Sequence, residues 1–256
     1  MNKPFRAMML VLLLVEACSA PPEPQITPPQ PSFMDAGKIT DPVDHRIYAD
    51  VGPQNAIVIE WKADTSGNTS GYVLYRSIND STVDADGLLA HRTTVAQLES
   101  SNQLIEPLAT SFKDTTGIVA GATYWYQLQA FYRSPSNNLH YSKPTPVDIT
   151  TSFTYFDRDQ PLFPSAGQVV NLNGSPLQFR WLDPDNGGRF HLIVQRLDNQ
   201  QFVWDSVLSD FQSTITMEYP LTATPLEQGV PYQWRVKRVA PYGGSTSPWS
   251  MFSITP

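Results

Sequence analysis

The sequence predicts an all-β chain of two tandem β-sandwiches. Three observations carry this. Apolar and polar residues alternate with period two in short segments. Gly, Pro, Asn and Asp punctuate the gaps between those segments. The two halves also repeat one spacing of aromatic residues. A length of 256 residues fits one or two domains at roughly 100–200 residues each.

The first segment is a leader. Lys3 and Arg6 precede a nine-residue apolar run, Ala7–Val15, which is too short to span a bilayer as a mature helix. Val15-Glu16-Ala17-Cys18 follows, and Cys18 is the sole cysteine. This resembles the lipobox of bacterial lipoproteins, with an aliphatic residue three before the cysteine and a small one just before it. Glu16 departs from the small or uncharged residue that the family prefers. The resemblance implies a signal peptide at 1–17, a lipid on Cys18 and a membrane contact through that anchor. Ser19, rather than aspartate, points to the outer membrane of the cell envelope. The alternative is an ordinary secretory leader cleaved after Ala17 or Ala20.

Residues 18–41 read as a disordered tether. Pro21, Pro22, Pro24, Pro28, Pro29 and Pro31 fix φ and remove backbone donors. Ser19–Ser32 in polyproline II at about 3.1 Å per residue would span roughly 40 Å.

The first sandwich is expected over 42–152. Ile57, Ile59 and Trp61 alternate with polar or outward residues, as do Tyr72 and Leu74, then Tyr124, Tyr126, Leu128 and Ala130. A linker at 153–159 follows, with Phe153, Tyr155 and Phe156 expected to pack between the domains. The second sandwich is expected over 160–256: Leu177, Phe179 and Trp181; Phe190, Leu192 and Val194; Tyr232, Trp234 and Val236. One polar face per strand means that the other face meets a second sheet.

Ile118-x-x-Gly121-x-x-Tyr124 recurs as Leu226-x-x-Gly229-x-x-Tyr232, a tyrosine-corner pattern. With the strand-B tryptophans Trp61 and Trp181 and the strand-C residues Tyr72 and Phe190, each half resembles a fibronectin type III domain, within the immunoglobulin-like class. Arg238 departs from the small inward residue typical of the family, filled by Ala130 in the first copy, and implies a bulge or an edge position. Ser247-Pro248-Trp249-Ser250 is similar to half of the Trp-Ser box of cytokine-receptor modules, with Arg235 and Lys237 placed to stack on Trp249.

Chemistry-bearing patterns are sparse. His45, His91, His140 and His191 are too far apart for an i,i+4 metal pair, and His191 falls on the outward phase of its strand. Gly67-Asn-Thr-Ser-Gly71 is not a nucleophile elbow, and no phosphate-binding glycine loop occurs. Asp80, Asp84 and Asp86, and Asp183 and Asp185, partly resemble calcium loops. Counted from Thr82 and from Asp183, the twelfth positions are Thr93 and Val194, which lack the bidentate acid, and turn chemistry accounts for the second loop better. No enzyme activity, cofactor or metal is expected. A net charge of −7 without a basic run argues against nucleic acid.

The remaining candidate is an aromatic face. With Tyr72 and Tyr124 inward, Val73, Tyr75 and Trp125 point outward from neighbouring strands. Exposed aromatics there suit an envelope or extracellular protein partner, or a glycan. Cover by a loop or by the other domain is the competing expectation. Tyr132, Tyr141, Trp204 and Tyr242 lie near expected loops. The functional expectation is a non-catalytic, surface-anchored lipoprotein for protein–protein interaction or adhesion at the envelope. The alternative is a carbohydrate-binding module.

Overall fold

Period-two alternation becomes two aromatic cores. The computed structural model describes residues 25–34, 47–50, 54–100, 108–240 and 242–255. The expected signal peptide and Cys18 lie outside the described residues.

The first sandwich contains β1 (Ile47–Ala49), β2 (Ile57–Glu60), β3 (Gly71–Ile78), β4 (Thr93–Glu99), β5 (Ser111–Asp114), β6 (Thr123–Arg133), β7 (Leu139–Tyr141) and β8 (Ser152–Tyr155). One sheet has the order β1-β2-β5. The facing sheet runs β4-β3-β6, with β7 and β8 paired to opposite ends of β6. Ile57, Ile59, Trp61, Tyr72, Leu74, Tyr124, Tyr126, Leu128 and Ala130 are all buried between the sheets, the inward set that the alternation requires. Trp61 meets Tyr72 edge-on at 5.6 Å between ring centroids.

The second sandwich contains β9 (Gln160–Phe163), β10 (Gln168–Asn171), β11 (Gln178–Leu182), β12 (Gly188–Arg196), β13 (Phe202–Asp210), β14 (Thr214–Glu218), β15 (Tyr232–Ala240), β16 (Gly243–Thr246) and β17 (Ser250–Thr255). One sheet has the order β14-β11-β9. The facing sheet pairs β13 with β12 and β12 with β15; β16 and β17 both lie on β15, and β10 runs parallel to β17. Phe179 is the hub of this core, within 5.1 to 6.4 Å of Trp234, Trp204, Phe252 and Tyr219. In each half a three-stranded sheet faces a larger one whose last strand is broken. Each half is therefore a two-sheet β-sandwich of the fibronectin type III-like, immunoglobulin-like kind expected from the sequence.

Both tyrosine corners form. Tyr124 Oη accepts the Val119 amide at 2.7 Å and donates to the Gly117 carbonyl at 3.2 Å; Tyr232 Oη accepts the Glu227 amide at 2.8 Å. Gly121 and Gly229 take φ of 79° and 71°, the left-handed region that their turns need. The broken last strands share a second device. The Thr145 hydroxyl accepts the Leu128 amide at 3.0 Å, and the Ser247 hydroxyl accepts the Val236 amide at 2.9 Å. In each case a proline follows, so a side-chain oxygen completes the ladder where the backbone leaves it.

Three expectations change. The tether at 18–41 is not free over its described part, 25–34. Phe33 is buried and bridges Trp61; Met34 donates to the Glu60 carbonyl, and Lys62 to that of Ser32. One aromatic anchor flanked by non-proline amides is enough to dock the segment. The linker at 153–159 is shorter than expected, because Phe153 and Tyr155 belong to β8 and to the first core. Arg238 requires neither bulge nor edge: it pairs regularly across from Phe190 and is buried.

The halves are also joined. β16 of the second sandwich pairs in parallel with β8 of the first, Gly243 opposite Thr154 and Gly244 opposite Tyr155. One eleven-stranded sheet therefore runs through both.

Candidate functional site at the domain junction

The expected aromatic face is partly covered at its Tyr75 end. Val73 is buried, and Tyr75 and Trp125 are half-buried. Between the two rings lies Gln127, which is fully buried and binds the cover. Its Oε1 accepts the Leu89 amide at 2.9 Å, and its Nε2 donates to the Gly87 carbonyl at 2.7 Å and the Thr145 carbonyl at 2.9 Å. The loop between β3 and β4 is thereby laid over the sheet. Arg92, at the end of that loop, places its guanidinium 5.7 Å from the Tyr75 ring centroid, and Tyr75 Oη donates to Gln129 Oε1 at 3.2 Å. Burial pushes the Tyr75 phenol up from its ordinary value. A ring held this way packs the frame and does not offer an open stacking face.

The aspartates of that loop are engaged in holding it. Asp84 Oδ1 accepts the amides of Asp86 and Leu88, and its Oδ2 pairs with Arg92 at 2.7 Å. The Asp80 carboxyl, bonded by the Thr82 amide and paired with His91, is lowered to about 2. Among the described residues no group of three or more His, Cys, Asp or Glu is arranged to hold a metal ion.

The densest polar constellation lies at the junction. Arg238 projects from β15 into the end of the second core, its side chain 4% exposed. One guanidinium nitrogen, Nη1, donates to the Gly187 carbonyl at 2.6 Å. The other, Nη2, bonds Asp183 Oδ1 and lies 3.7 Å from Asp159 Oδ1 and 3.6 Å from Asp185 Oδ2. Its plane is flanked by Phe190 and Phe156, with ring centroids 5.2 and 5.3 Å from Cζ. Asp183 also shapes the turn between β11 and β12 by accepting the amides of Asp185 and Gly187. Asp159 is fully buried, and neither of its carboxylate oxygens has a hydrogen-bond partner. Burial raises its carboxyl to about 7, against the opposing pull of Arg238 and with a further push from Asp185.

Backbone bonds cross the junction around this cluster. Thr154 donates to the Tyr242 carbonyl at 2.9 Å, Phe156 to that of Gly244 at 3.2 Å, and Ser245 Oγ to that of Asp157 at 2.9 Å. Arg158 turns back to the first sandwich, bonding the Gln54 carbonyl and Tyr155 Oη. Gly243 is required for the approach, because a Cβ there would sit 2.5 Å from the Thr154 carbonyl oxygen. Of the three linker aromatics, Phe156 lies against Gly243 and Arg238, and the Phe153 ring, though part of the first core, reaches to 3.9 Å from the Cβ position of Gly244.

Other singled-out residues divide between frame and surface. His191 is buried rather than exposed. It lies on the outer sheet face, but Val207 and Lys237 stand on the flanking strands, and Asp205 meets Nε2 at 2.9 Å. Trp204 packs on Phe179 and Tyr219, and Tyr132 lies beside His140. Arg235 stacks on Trp249 at 4.2 Å, as the Trp-Ser-box likeness implies. Apolar side chains project from two loops of the second sandwich: Phe211, 79% exposed, against Gly187, and Leu221, 90% exposed. Tyr242 is exposed at the β15–β16 turn.

No protein-family model matches the chain, and no curated protein matches it. Among solved structures it is similar to the crystal structure of chicken CNTN1 FN1-FN3 domains. Identity is 11%, over 90% of this chain and 69% of that one, with a TM-score of 0.36.

Proposed function

We propose that the chain is a non-catalytic, surface-anchored lipoprotein that mediates protein–protein interaction or adhesion at the bacterial cell envelope. Supporting this is a fibronectin type III-like body whose two sandwiches share one sheet, so that its loops are presented in a fixed arrangement. The observation that carries the protein-binding part is Phe211, a large apolar side chain left almost fully in water on a loop beside the junction. The anchor rests on the lipobox resemblance at Cys18.

Crosslinking mass spectrometry on intact cells tests the partner. The expected result is a recurrent envelope or extracellular protein crosslinked near the turn after β13, and lost on Phe211→Asp. Crosslinks unchanged by that substitution would overturn the assignment to this loop. Glycan-array binding lost on Trp125→Ala would move the reading to the carbohydrate alternative. Intact-mass measurement of the membrane fraction tests the anchor, and a mature chain without diacylglycerol on Cys18 refutes it.

A further inference from the structure

We propose that the carboxylates gathered around Arg238 form a pH-sensitive latch between the two sandwiches, closed when Asp159 is protonated and loosened when it ionises. Asp159 lies in the segment joining β8 to β9, and Arg238 lies on β15 of the second sandwich, so the buried seat of Asp159 beside that guanidinium exists only while the segment is docked on the sheet that β16 extends. Holding the segment in place also holds Phe156 against Gly244 and the Arg238 guanidinium.

The charge balance makes the latch titratable. Facing Asp159 from β15 is the single cation Arg238. The turn between β11 and β12 supplies Asp183 and Asp185 to that same guanidinium, and Asp157 adds a charge on the joining segment itself. Arg158, the neighbouring cation, is turned to Gln54 and Tyr155. Asp183 takes the direct bond to Nη2, which leaves Asp159 at 3.7 Å with no donor on either oxygen. A buried carboxylate in that position favours its neutral form, and opening to water restores its ordinary acidity.

The sign follows. The closed junction holds a proton that the open junction releases, because burial lifts the Asp159 carboxyl to about 7 in the closed state against its ordinary 3.8. Opening is therefore suppressed at acid pH. The opening constant rises roughly tenfold per pH unit between about pH 5 and 7 and flattens above the closed-state pKa.

Hydrogen exchange of the full chain tests this. The reporters are the amides of Thr154 and Phe156, whose bonds exist only across the junction, with rates divided by the intrinsic base-catalysed rate. The expected result is a loss of protection of roughly a hundredfold between pH 5 and 7, absent in Asp159→Asn. Protection independent of pH in the native chain, or the same dependence in Asp159→Asn, overturns the latch. Carbon-13 titration of the native Asp159 carboxyl is a second measurement that needs no variant. Ionisation near neutrality supports the proposal, and ionisation complete below pH 5 overturns it.

Discussion

Replacing Arg238 by methionine keeps the length of the side chain and removes its charge and donors. The Gly187 carbonyl loses a partner at 2.6 Å, and Asp183 loses its guanidinium but keeps two backbone amides. Asp159 keeps nothing. Stripping one member from a buried ion cluster costs about 3–5 kcal/mol, because the remaining charges stay desolvated. The methionine recovers part of the packing against Phe156 and Phe190, which favours the lower end of that range. Urea unfolding followed by tryptophan fluorescence at pH 8 measures the loss. At pH 5 Asp159 is neutral in the native protein, its carboxyl titrating at about 7, so one lost attraction disappears from the comparison. The destabilisation should then shrink by about 1–2 kcal/mol. A loss under 1 kcal/mol at pH 8, or a larger loss at pH 5 than at pH 8, would refute the reasoning.

Asp159→Asn should stabilise the chain at pH 8 by on the order of 2–4 kcal/mol and change little at pH 5, because a raised carboxyl pKa weakens the fold as pH climbs from about 4 to 7; thermal melts at the two pH values decide it. Gly243→Val should separate the sandwiches while leaving both cores intact, since its Cβ meets the Thr154 carbonyl; NMR relaxation would then report two tumbling rates, and a single shared rate contradicts the claim. Phe33→Ala should cost about 3 kcal/mol in chemical denaturation, because the ring is buried in the first core; a free tether would lose nothing. Tyr124→Phe and Tyr232→Phe should each cost about 1–2 kcal/mol by leaving the Val119 and Glu227 amides short of an acceptor, and a change below about 0.5 kcal/mol in either goes against the corner geometry.

The cores were readable because burial in a sandwich follows a local rule. Ile57, Ile59 and Trp61, or Tyr232, Trp234 and Val236, declare their face within five residues. The tyrosine corners are readable for the same reason, since the hydroxyl and its partners sit five to seven residues apart. What depends on docking between distant segments was not readable. The alternation placed Tyr75 and Trp125 outward correctly, but nothing periodic says that Gln127 will hold the loop of Leu89 over them. His191 is buried against its outward phase for a related reason: the side chains of Val207 and Lys237 on the flanking strands cover part of the sheet's outer face. Arg238 is accommodated by the Gly187 carbonyl and Asp183, its acceptors, and by Asp159 beside them, all far away in the chain. Phe153 and Tyr155 alternate, and that signal marks β8, but the run is short and the charges of Asp157, Arg158 and Asp159 follow it at once. The adjacent glycines Gly243 and Gly244 were the one local hint of a close backbone approach at the junction.

The pairing of β8 with β16 also has a consequence for biosynthesis. Residues 152–155 acquire their outer neighbour only when residues 243–246 have been made, nearly ninety positions later. While the ribosome is still adding those positions, the nascent first sandwich carries an uncapped edge with unpaired amides and carbonyls. The chain supplies its own cap once residues 243–246 have been made, so a product truncated before them would keep the sticky edge that their pairing conceals.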